Sequence, residues 1–270
     1  MPRRHFSRWL LRWSRMRLPG PLARLQNEWF ARLTRIDLSE AEWKPAQYPT
    51  LNAFFTRKLR VDARPVEADP HTAVFPCDGR LGAFGPIEKA TLVQAKGIDY
   101  EIRHLLMDET LARRFENGHF ITIYLSPRDY HRVHFPLAGR VVRFHHIPGH
   151  SGTSYPVGPW SVANIRRLYC RNERIVTYIQ TDAGLMALVM VAAAGVGNMT
   201  LSFGPAPFAQ HDRTRDFAQD LDVEAAKGAE CGIFHLGSTV ILLFEPFDWQ
   251  FEPMEPGQIV RMGRPLGKFH

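Results

Sequence analysis

The chain has 270 residues, enough to bury a sizeable hydrophobic core within one catalytic domain. Its formal charge of +7 belongs to one end, because residues 1–36 hold nine arginines and one acidic residue, Glu28. The remainder keeps 25 of the 34 basic and 26 of the 27 acidic side chains, so the composition predicts no nucleic-acid partner. The three widely spaced cysteines form no Cys-x-x-Cys motif and predict reduced thiols in a reducing compartment.

The first 18 residues predict an amphipathic basic helix. Phe6, Trp9, Leu10, Trp13 and Met16 recur at helical spacing, and the arginines fall mostly elsewhere around the helix. Trp and Arg suit the interface of an anionic bilayer, so we expect this helix to lie on a membrane rather than to cross it. A helix that packs its tryptophan face on its own protein is the other interpretation. The arginines interrupt every stretch that could serve as a secretory signal, although an Arg-rich start also fits a mitochondrial presequence.

The rest of the chain alternates short strand-like runs with Gly and Pro. Helical patterns are confined mainly to the first 60 residues and to residues 100–115. The clearest strand-like runs are Phe120–Leu125, Gly139–His146, Arg174–Gln180, Leu185–Val191 and Thr239–Phe244. This distribution predicts an α+β protein, with a helical membrane-associating region over residues 1–64 and a mostly antiparallel β-rich catalytic core over residues 65–270.

Two further segments carry structural predictions. Residues 183–210 contain no charged residue, but their apolar part ends near Val196 and is shorter than the ~20 residues of a membrane span. We expect two buried strands there, joined near Gly195–Gly197. The segment Phe208–Gly228 alternates acids and bases, and it predicts an exposed loop or a short helix.

Ser238 stands between Gly237 and a strand-like apolar run. A serine in this position is a candidate nucleophile, because the glycine before it leaves its carbonyl open to attack and permits an unusual backbone angle. A turn that opens a strand is the alternative. A nucleophile needs a base and an orienting group, and the candidates are His131, His134 and Asp78. Pro127 and Pro136 flank the two histidines and favour an irregular segment.

These segments, in this order, resemble the phosphatidylserine decarboxylases, a pyruvoyl-dependent family that makes phosphatidylethanolamine. The resemblance covers nearly the whole chain, and the histidine motif followed by Pro136 is its most specific part. The motifs that carry it are Leu51-Asn52-Ala53-Phe54-Phe55-Thr56-Arg57, Gln94-Ala95-Lys96-Gly97, Asp129-Tyr130-His131-Arg132-Val133-His134, Arg171-Asn172-Glu173-Arg174 and Leu236-Gly237-Ser238-Thr239.

The resemblance implies that the chain cuts itself. The Ser238 hydroxyl would attack the Gly237 carbonyl to form an ester, and loss of the Ser238 α-proton would break that ester. The resulting dehydroalanine would hydrolyse to a pyruvoyl group and ammonia. A large chain that ends at Gly237 and a small chain of residues 238–270 would then stay associated. Phosphatidylserine would form a Schiff base with the pyruvoyl group, which acts as the electron sink for decarboxylation.

The resemblance also assigns the side chains. His134 would be the base for cleavage and Asp78 its orienting group, while His131 would hold the substrate carboxylate or protonate the carbanion. Arg171 and Arg174 are candidates for a lipid phosphate or for structural ion pairs. His145, His146 and His150 lack Cys or carboxylate partners at ligand spacing, so we expect no metal.

Two alternatives remain open at this stage. One is a membrane-associated serine hydrolase that uses Asp78, His134 and Ser238 and keeps the Gly237–Ser238 bond intact. The other is a non-enzymatic scaffold whose basic helix binds membranes. The expected partners are phosphatidylserine and an anionic membrane surface, with homodimer formation left open. The expected location is peripheral, on the cytoplasmic face of the cell membrane, and the mitochondrial inner membrane is the alternative.

Overall fold

The computed structural model describes residues 12–95, 98–149, 154–193, 199–204, 216–235 and 237–270. Its helices are α1 (Gly20–Thr34), α2 (Leu51–Phe55), α3 (Ile102–Leu106), α4 (Glu109–Arg114), α5 (Pro159–Asn164) and α6 (Leu168–Arg171). Its strands are β1 (Thr72–Val74), β2 (Gly79–Pro86), β3 (Thr91–Ala95), β4 (Ile98–Glu101), β5 (His119–Leu125), β6 (Arg132–His134), β7 (Gly139–Ile147), β8 (Arg174–Thr181), β9 (Gly184–Ala192), β10 (Met199–Leu201), β11 (Phe217–Ala225), β12 (Glu230–Phe234), β13 (Ser238–Phe244), β14 (Trp249–Phe251), β15 (Ile259–Val260) and β16 (Pro265–Phe269).

Eight strands form the central sheet, in the order β11-β7-β8-β9-β13-β5-β2-β15. A three-stranded sheet, β10-β12-β6, carries the histidine segment, and a second one has the order β1-β16-β14. Strands β3 and β4 form a separate pair. The pairings within these sheets are antiparallel. The predicted α+β class with a mostly antiparallel core is therefore confirmed.

Strand β13 explains the longest apolar run near the C-terminus. It pairs with β5 on one side and with β9 on the other. The side chains from Val240 to Leu243 are fully buried. Because both faces of this strand are covered, its sequence is continuously apolar instead of alternating.

The N-terminal region has a small core of its own. Residues of α1 and α2 pack there with the segment between them, and the members are Ala31, Ile36, Tyr48, Leu51 and Phe54. Helix α2 begins at a capped end, since the Thr50 hydroxyl accepts a hydrogen bond from the backbone N–H of Ala53 at 3.0 Å. Helix α1 ends where Arg35 adopts a left-handed conformation.

Two predictions about local structure were wrong. Part of Phe208–Gly228 is strand β11, which pairs with β7 at the edge of the central sheet. Its acidic residues lie on the exposed side, where Asp220 and Asp222 pair with Arg143 and Arg140 of β7. The alternating charges therefore belong to cross-strand pairs at a solvated edge. Residues 132–134 also form a strand, β6, in the segment expected to be irregular.

The charge-free stretch contains β9 and β10, as expected. Residues 194–198, where the two strands were expected to join, and residues 205–215 lie outside the described residues. The short helices α5 and α6 were not predicted. They surround Gln94, whose amide donates to the carbonyls of Val162 and Ile165 and accepts from the N–H of Leu168. The glutamine of the second motif therefore organises this connection.

Arg174 has a structural role. Its side chain is buried, and its guanidinium donates to four backbone carbonyls, those of His104, Leu105, Cys170 and Asn172, at 2.6–3.0 Å. Burial lowers the pKa of Arg174 to about 10. With its donors committed to the backbone, Arg174 is not available for a lipid phosphate, and this candidate role is corrected.

We predict that Arg174→Gln lowers the free energy of unfolding by at least ~3 kcal/mol, because the substitution strips buried carbonyls of their charged donor. Arg171→Gln is the matched control. Its guanidinium lies over the Tyr155 ring and donates a hydrogen bond to the Tyr155 hydroxyl at 2.7 Å, so a cost of about 1 kcal/mol is expected. Urea unfolding of both variants in a Ser238→Ala background measures the difference. Equal costs would contradict the structural role.

A second prediction concerns the small chain of residues 238–270. It supplies β13, β14, β15 and β16, which pair with strands from the rest of the protein and with each other. A cut between Gly237 and Ser238 should therefore leave the two pieces bound through burial of β13 in the core. We expect both pieces to co-elute in gel filtration under native conditions and to separate only in concentrated urea. Separation without denaturant would contradict this arrangement.

Candidate active site

The predicted cleavage motif lies at the start of a central strand. Gly237 has a φ of +50°, in the left-handed region, so the expected unusual backbone angle is confirmed. Ser238 is the first residue of β13, aligned with Leu125 of β5 and Ala192 of β9. The segment with the histidines leaves β5 directly after Leu125. The topology therefore brings the start of the histidine segment to the same end of the strands as Ser238.

His134 is held by hydrogen bonds at both ring nitrogens. It is the last residue of β6, and its backbone N–H donates to the Pro76 carbonyl at 2.8 Å. Nδ1 lies 2.8 Å from the Gly228 carbonyl, and Nε2 lies 3.1 Å from the Tyr130 hydroxyl. A carbonyl only accepts, so Nδ1 carries the proton and Nε2 carries the lone pair. Burial lowers the pKa of His134, which favours the neutral form that a base requires.

His131 is fully enclosed. Its Nδ1 donates to the Asp129 carbonyl at 2.8 Å, and its ring centroid lies 4.0 Å from that of Phe55. Among the described residues, Nε2 has no hydrogen-bond partner although it is buried. Burial lowers the pKa of His131 to about 3, so the ring is neutral near neutral pH and has a free lone pair on Nε2.

Asp78 binds an arginine instead of a histidine. Arg64 donates from Nε and Nη2 to the Asp78 carboxylate at 2.5–3.2 Å, and the N–H of Met262 donates to Oδ1 at 2.9 Å. Nδ1 of His134, the atom that an orienting carboxylate would bind, already donates to the Gly228 carbonyl. The resemblance leads one to expect a direct contact between Asp78 and His134, and this expectation is corrected. The planar guanidinium satisfies both carboxylate oxygens of Asp78.

The first motif of the resemblance, residues 51–57, contacts the histidine segment. Asn52 contacts Nδ1 of His235 at 3.2 Å, two residues before Gly237. Phe55 packs on the ring of His131. Nη2 of Arg57 donates to the carbonyls of Arg128 and Asp129 at 2.9 and 3.3 Å. Helix α2 and the residues after it therefore hold both the histidine segment and the residues before the cleavage motif.

A cleft of about 270 Å³ lies beside these groups, lined by Asp78, Tyr130, Arg64 and Arg57 among others. It therefore offers an approach to the site from the side of Asp78 and Tyr130. Cys77, next to Asp78, is fully buried, and burial raises the pKa of its thiol. A reactive thiol at this position is therefore not supported.

The histidines of β7 have carboxylate partners. His145 pairs with Asp216, and His146 pairs with Glu173 at 3.2 Å. Within the ranges that the structure describes, no three or more His, Cys, Asp or Glu side chains form a metal-binding group. His150 lies outside those ranges.

Sequence reasoning missed three groups at this site: Arg64, the Tyr130 hydroxyl and the Gly228 carbonyl. Tyr130 lies within the histidine motif, but nothing in the motif shows which atom its hydroxyl contacts. Arg64 is 14 residues from Asp78, and Gly228 is 94 residues from His134. No local pattern links residues at such separations, so only the fold could reveal them.

Comparison with known proteins agrees with these features. The family model described as phosphatidylserine decarboxylase matches residues 51–268. A phosphatidylserine decarboxylase proenzyme of Anaeromyxobacter sp. (strain K) is 42% identical over 99% of this chain and 95% of its own length. The proenzyme of Halorhodospira halophila is 43% identical over 99% and 91%, and that of Myxococcus xanthus is 40% identical over 94% and 90%. The chain therefore belongs to the phosphatidylserine decarboxylase family.

Proposed function

We propose that this chain is the precursor of an enzyme that decarboxylates phosphatidylserine to phosphatidylethanolamine, and that it cuts itself between Gly237 and Ser238. One observation carries the second part. Gly237 has a left-handed conformation directly before Ser238. It lies at the end of the central strands where β5 leads into the histidine segment. The relatives named as proenzymes support the same conclusion.

In the proposed cleavage, the Ser238 oxygen forms a bond to the Gly237 carbonyl carbon and its proton moves to Nε2 of His134. The protonated imidazole then gives that proton to the departing Ser238 nitrogen, which converts the peptide bond to an ester. The Gly228 carbonyl keeps the ring in the tautomer that leaves Nε2 free of a proton. Loss of the Ser238 α-proton then breaks the ester and frees the Gly237 carboxylate.

The site fits a pyruvoyl group at position 238. The observation that supports this fit is the buried Nε2 of His131, a lone pair without a partner among the described residues. A bound pyruvoyl group supplies a carbonyl that takes up electrons when carbon dioxide leaves. A neutral His131 attracts a substrate carboxylate poorly, so we favour its role in proton transfer. Its Nε2 would pass a proton from solvent to the α-carbon after carbon dioxide leaves.

The two alternative functions are less well supported. A serine hydrolase would keep the Gly237–Ser238 bond intact, whereas the similar relatives are named as proenzymes. A non-enzymatic scaffold would not need two buried neutral histidines in the same segment. Membership of the decarboxylase family favours the enzyme over both.

The cleavage proposal predicts how four chains behave in one experiment. Wild type should yield two chains, the smaller starting at position 238 with a blocked N-terminus, while Ser238→Ala should stay uncut. His134→Ala should slow cleavage by at least ~100-fold through loss of the base. His131→Ala should still permit cleavage but lose decarboxylation. Intact mass and an assay of phosphatidylethanolamine formation measure these outcomes.

His119→Ala is a control for the histidine variants, because His119 packs on Phe251 away from the motif. It should cleave like wild type. A fully active enzyme with the mass of the uncut chain would refute the pyruvoyl mechanism. Equal cleavage by His134→Ala and wild type would refute the assignment of the base.

We further propose that the N-terminal region attaches the enzyme peripherally to an anionic membrane, on the cytoplasmic face of the cell membrane. Helix α1 exposes an apolar stripe at helical spacing, formed by Leu22, Leu25, Trp29 and Leu33, each 53–65% exposed. Exposed arginines accompany the stripe, including Arg17, Arg32 and Arg35. Apolar insertion together with basic side chains is the pattern of helices that lie in a bilayer interface.

This stripe places the proposed membrane contact in helix α1, beyond the segment predicted from the sequence. The sequence pointed to residues 1–18, and residues 1–11 of that segment lie outside the described residues. In the part that the structure describes, no helix is long and apolar enough to cross a membrane. The substrate is a lipid, so attachment would let the headgroup reach the site while its acyl chains remain in the bilayer.

We predict that the triple variant Leu25→Gln, Trp29→Gln, Leu33→Gln binds anionic vesicles at least ~10-fold more weakly, because three side chains lose their apolar insertion. Sedimentation with phosphatidylserine-containing vesicles measures this. Self-cleavage should be unchanged, since residues 51–270 contain the site. Trp160→Gln is the control, because Trp160 is 72% exposed outside this helix.

A deletion of residues 1–18 tests the terminal segment separately. It should weaken vesicle binding and make the binding less dependent on salt, since it removes six of the nine N-terminal arginines. Unchanged binding by both the triple variant and the deletion would place the membrane contact elsewhere.

A further inference from the structure

The two histidines of the site have the same tautomer but different surroundings at Nε2. Each donates its Nδ1 proton to a backbone carbonyl, His131 to Asp129 and His134 to Gly228. Each therefore carries its lone pair on Nε2. On His131 that lone pair has no partner among the described residues, whereas on His134 it faces the Tyr130 hydroxyl at 3.1 Å.

Tyr130 is well placed to act as a donor. The residue is 7% exposed, and its ring stacks on the His134 ring with a centroid distance of 5.6 Å and an interplanar angle of 30°. Burial raises the pKa of the phenol, so the hydroxyl keeps its proton. Because Nε2 has no proton, the hydrogen bond can only run from the Tyr130 hydroxyl to His134.

This hydrogen bond conflicts with the role of His134 as a base. The lone pair on Nε2 accepts one proton, and it cannot take the Ser238 proton while it accepts a hydrogen bond from Tyr130. The bond to Tyr130 has to break first. The transfer still balances, because Ser238 gives its proton to Nε2 as its oxygen bonds to Gly237, and Tyr130 keeps its own proton throughout.

We propose that Tyr130 is a positioning residue that restrains self-cleavage by capping the Nε2 lone pair of His134 in the uncut chain. This inference rests on the proposed role of His134 as the cleavage base. Tyr130 keeps the imidazole neutral and in place, and its hydroxyl must release Nε2 before Ser238 can react. The rate of self-cleavage therefore depends on the strength of this one hydrogen bond.

The charges around His134 set the direction of its pH response. Glu230 of β12 and Asp78 favour the protonated ring, while Arg132 of β6 disfavours it. Arg132 pairs with Glu230, and Arg64 pairs with Asp78. The Tyr130 hydroxyl, as a donor to Nε2, favours the neutral ring. Loss of this donor raises the pKa of His134, and since cleavage needs the neutral base, the midpoint of its pH profile moves to higher pH.

The test measures the rate of self-cleavage for the full chain. Protein from cell-free synthesis is transferred to buffers between about pH 5 and pH 9, and the uncut fraction is followed on gels. We expect Tyr130→Phe to cleave about fivefold faster than wild type on the high-pH plateau, because one hydrogen bond no longer has to break, with a higher midpoint. Tyr178→Phe is the control, because it removes a buried hydroxyl that has no partner among the described residues. It should match wild type.

A second substitution should act in the opposite direction. 3,5-Difluorotyrosine at position 130 has nearly the shape of tyrosine but is a stronger donor, so cleavage should slow and the midpoint should move to lower pH. A purely structural role for Tyr130 would not give effects of opposite sign. Wild-type rate and midpoint in both substituted chains, or slower cleavage by Tyr130→Phe, would overturn the cap. No cleavage in any chain, wild type included, would overturn the proposed self-cleavage and the cap with it.

Discussion

Strand β13 pairs along its whole length with β5 on one side and β9 on the other, and the position of the proposed cut follows from this placement. The strand begins at Ser238, so the Gly237–Ser238 bond lies at the N-terminal end of a buried central strand. The strand holds Ser238 in a fixed register, and Gly237 supplies the turn that no other residue type adopts as readily. The proposed cut at this bond would leave the buried strand in place.

The hydrogen bonds of the site satisfy its buried imidazoles. The rings of His131 and His134 are buried, and burial alone would leave their polar atoms without partners. Backbone carbonyls of Asp129 and Gly228 accept one proton from each ring and fix both tautomers without a buried charge. The carboxylate of Asp78 meets a guanidinium, where a charged pair offsets its own desolvation. The site therefore keeps charges paired at the cleft and neutral bases in the interior.

The N-terminal region has two sides with different properties. One side of it holds the site, through Phe55 on His131 and Arg57 on the carbonyls before it. The outer side of α1 presents apolar side chains and arginines to solvent. Under the proposed membrane attachment, a region that contacts the site histidines on one side and exposes an apolar and basic surface on the other would hold the site close to the lipid substrate.

By itself, the sequence determined the family, the α+β class and most of the long strands, and it predicted Ser238, His131, His134 and Asp78 as site residues. These features are local, because an apolar run such as Thr239–Phe244 or a motif such as the histidine segment carries its meaning in consecutive residues. Only the tertiary structure decided which atoms these residues contact. It placed Arg64 on Asp78, Gly228 and Tyr130 on His134, and Arg174 on backbone carbonyls. It also showed that part of the segment predicted to be a loop or short helix is the edge strand β11. The physical reason is that hydrogen bonds and burial depend on distances through space between residues far apart in the chain, and a single sequence does not contain those distances.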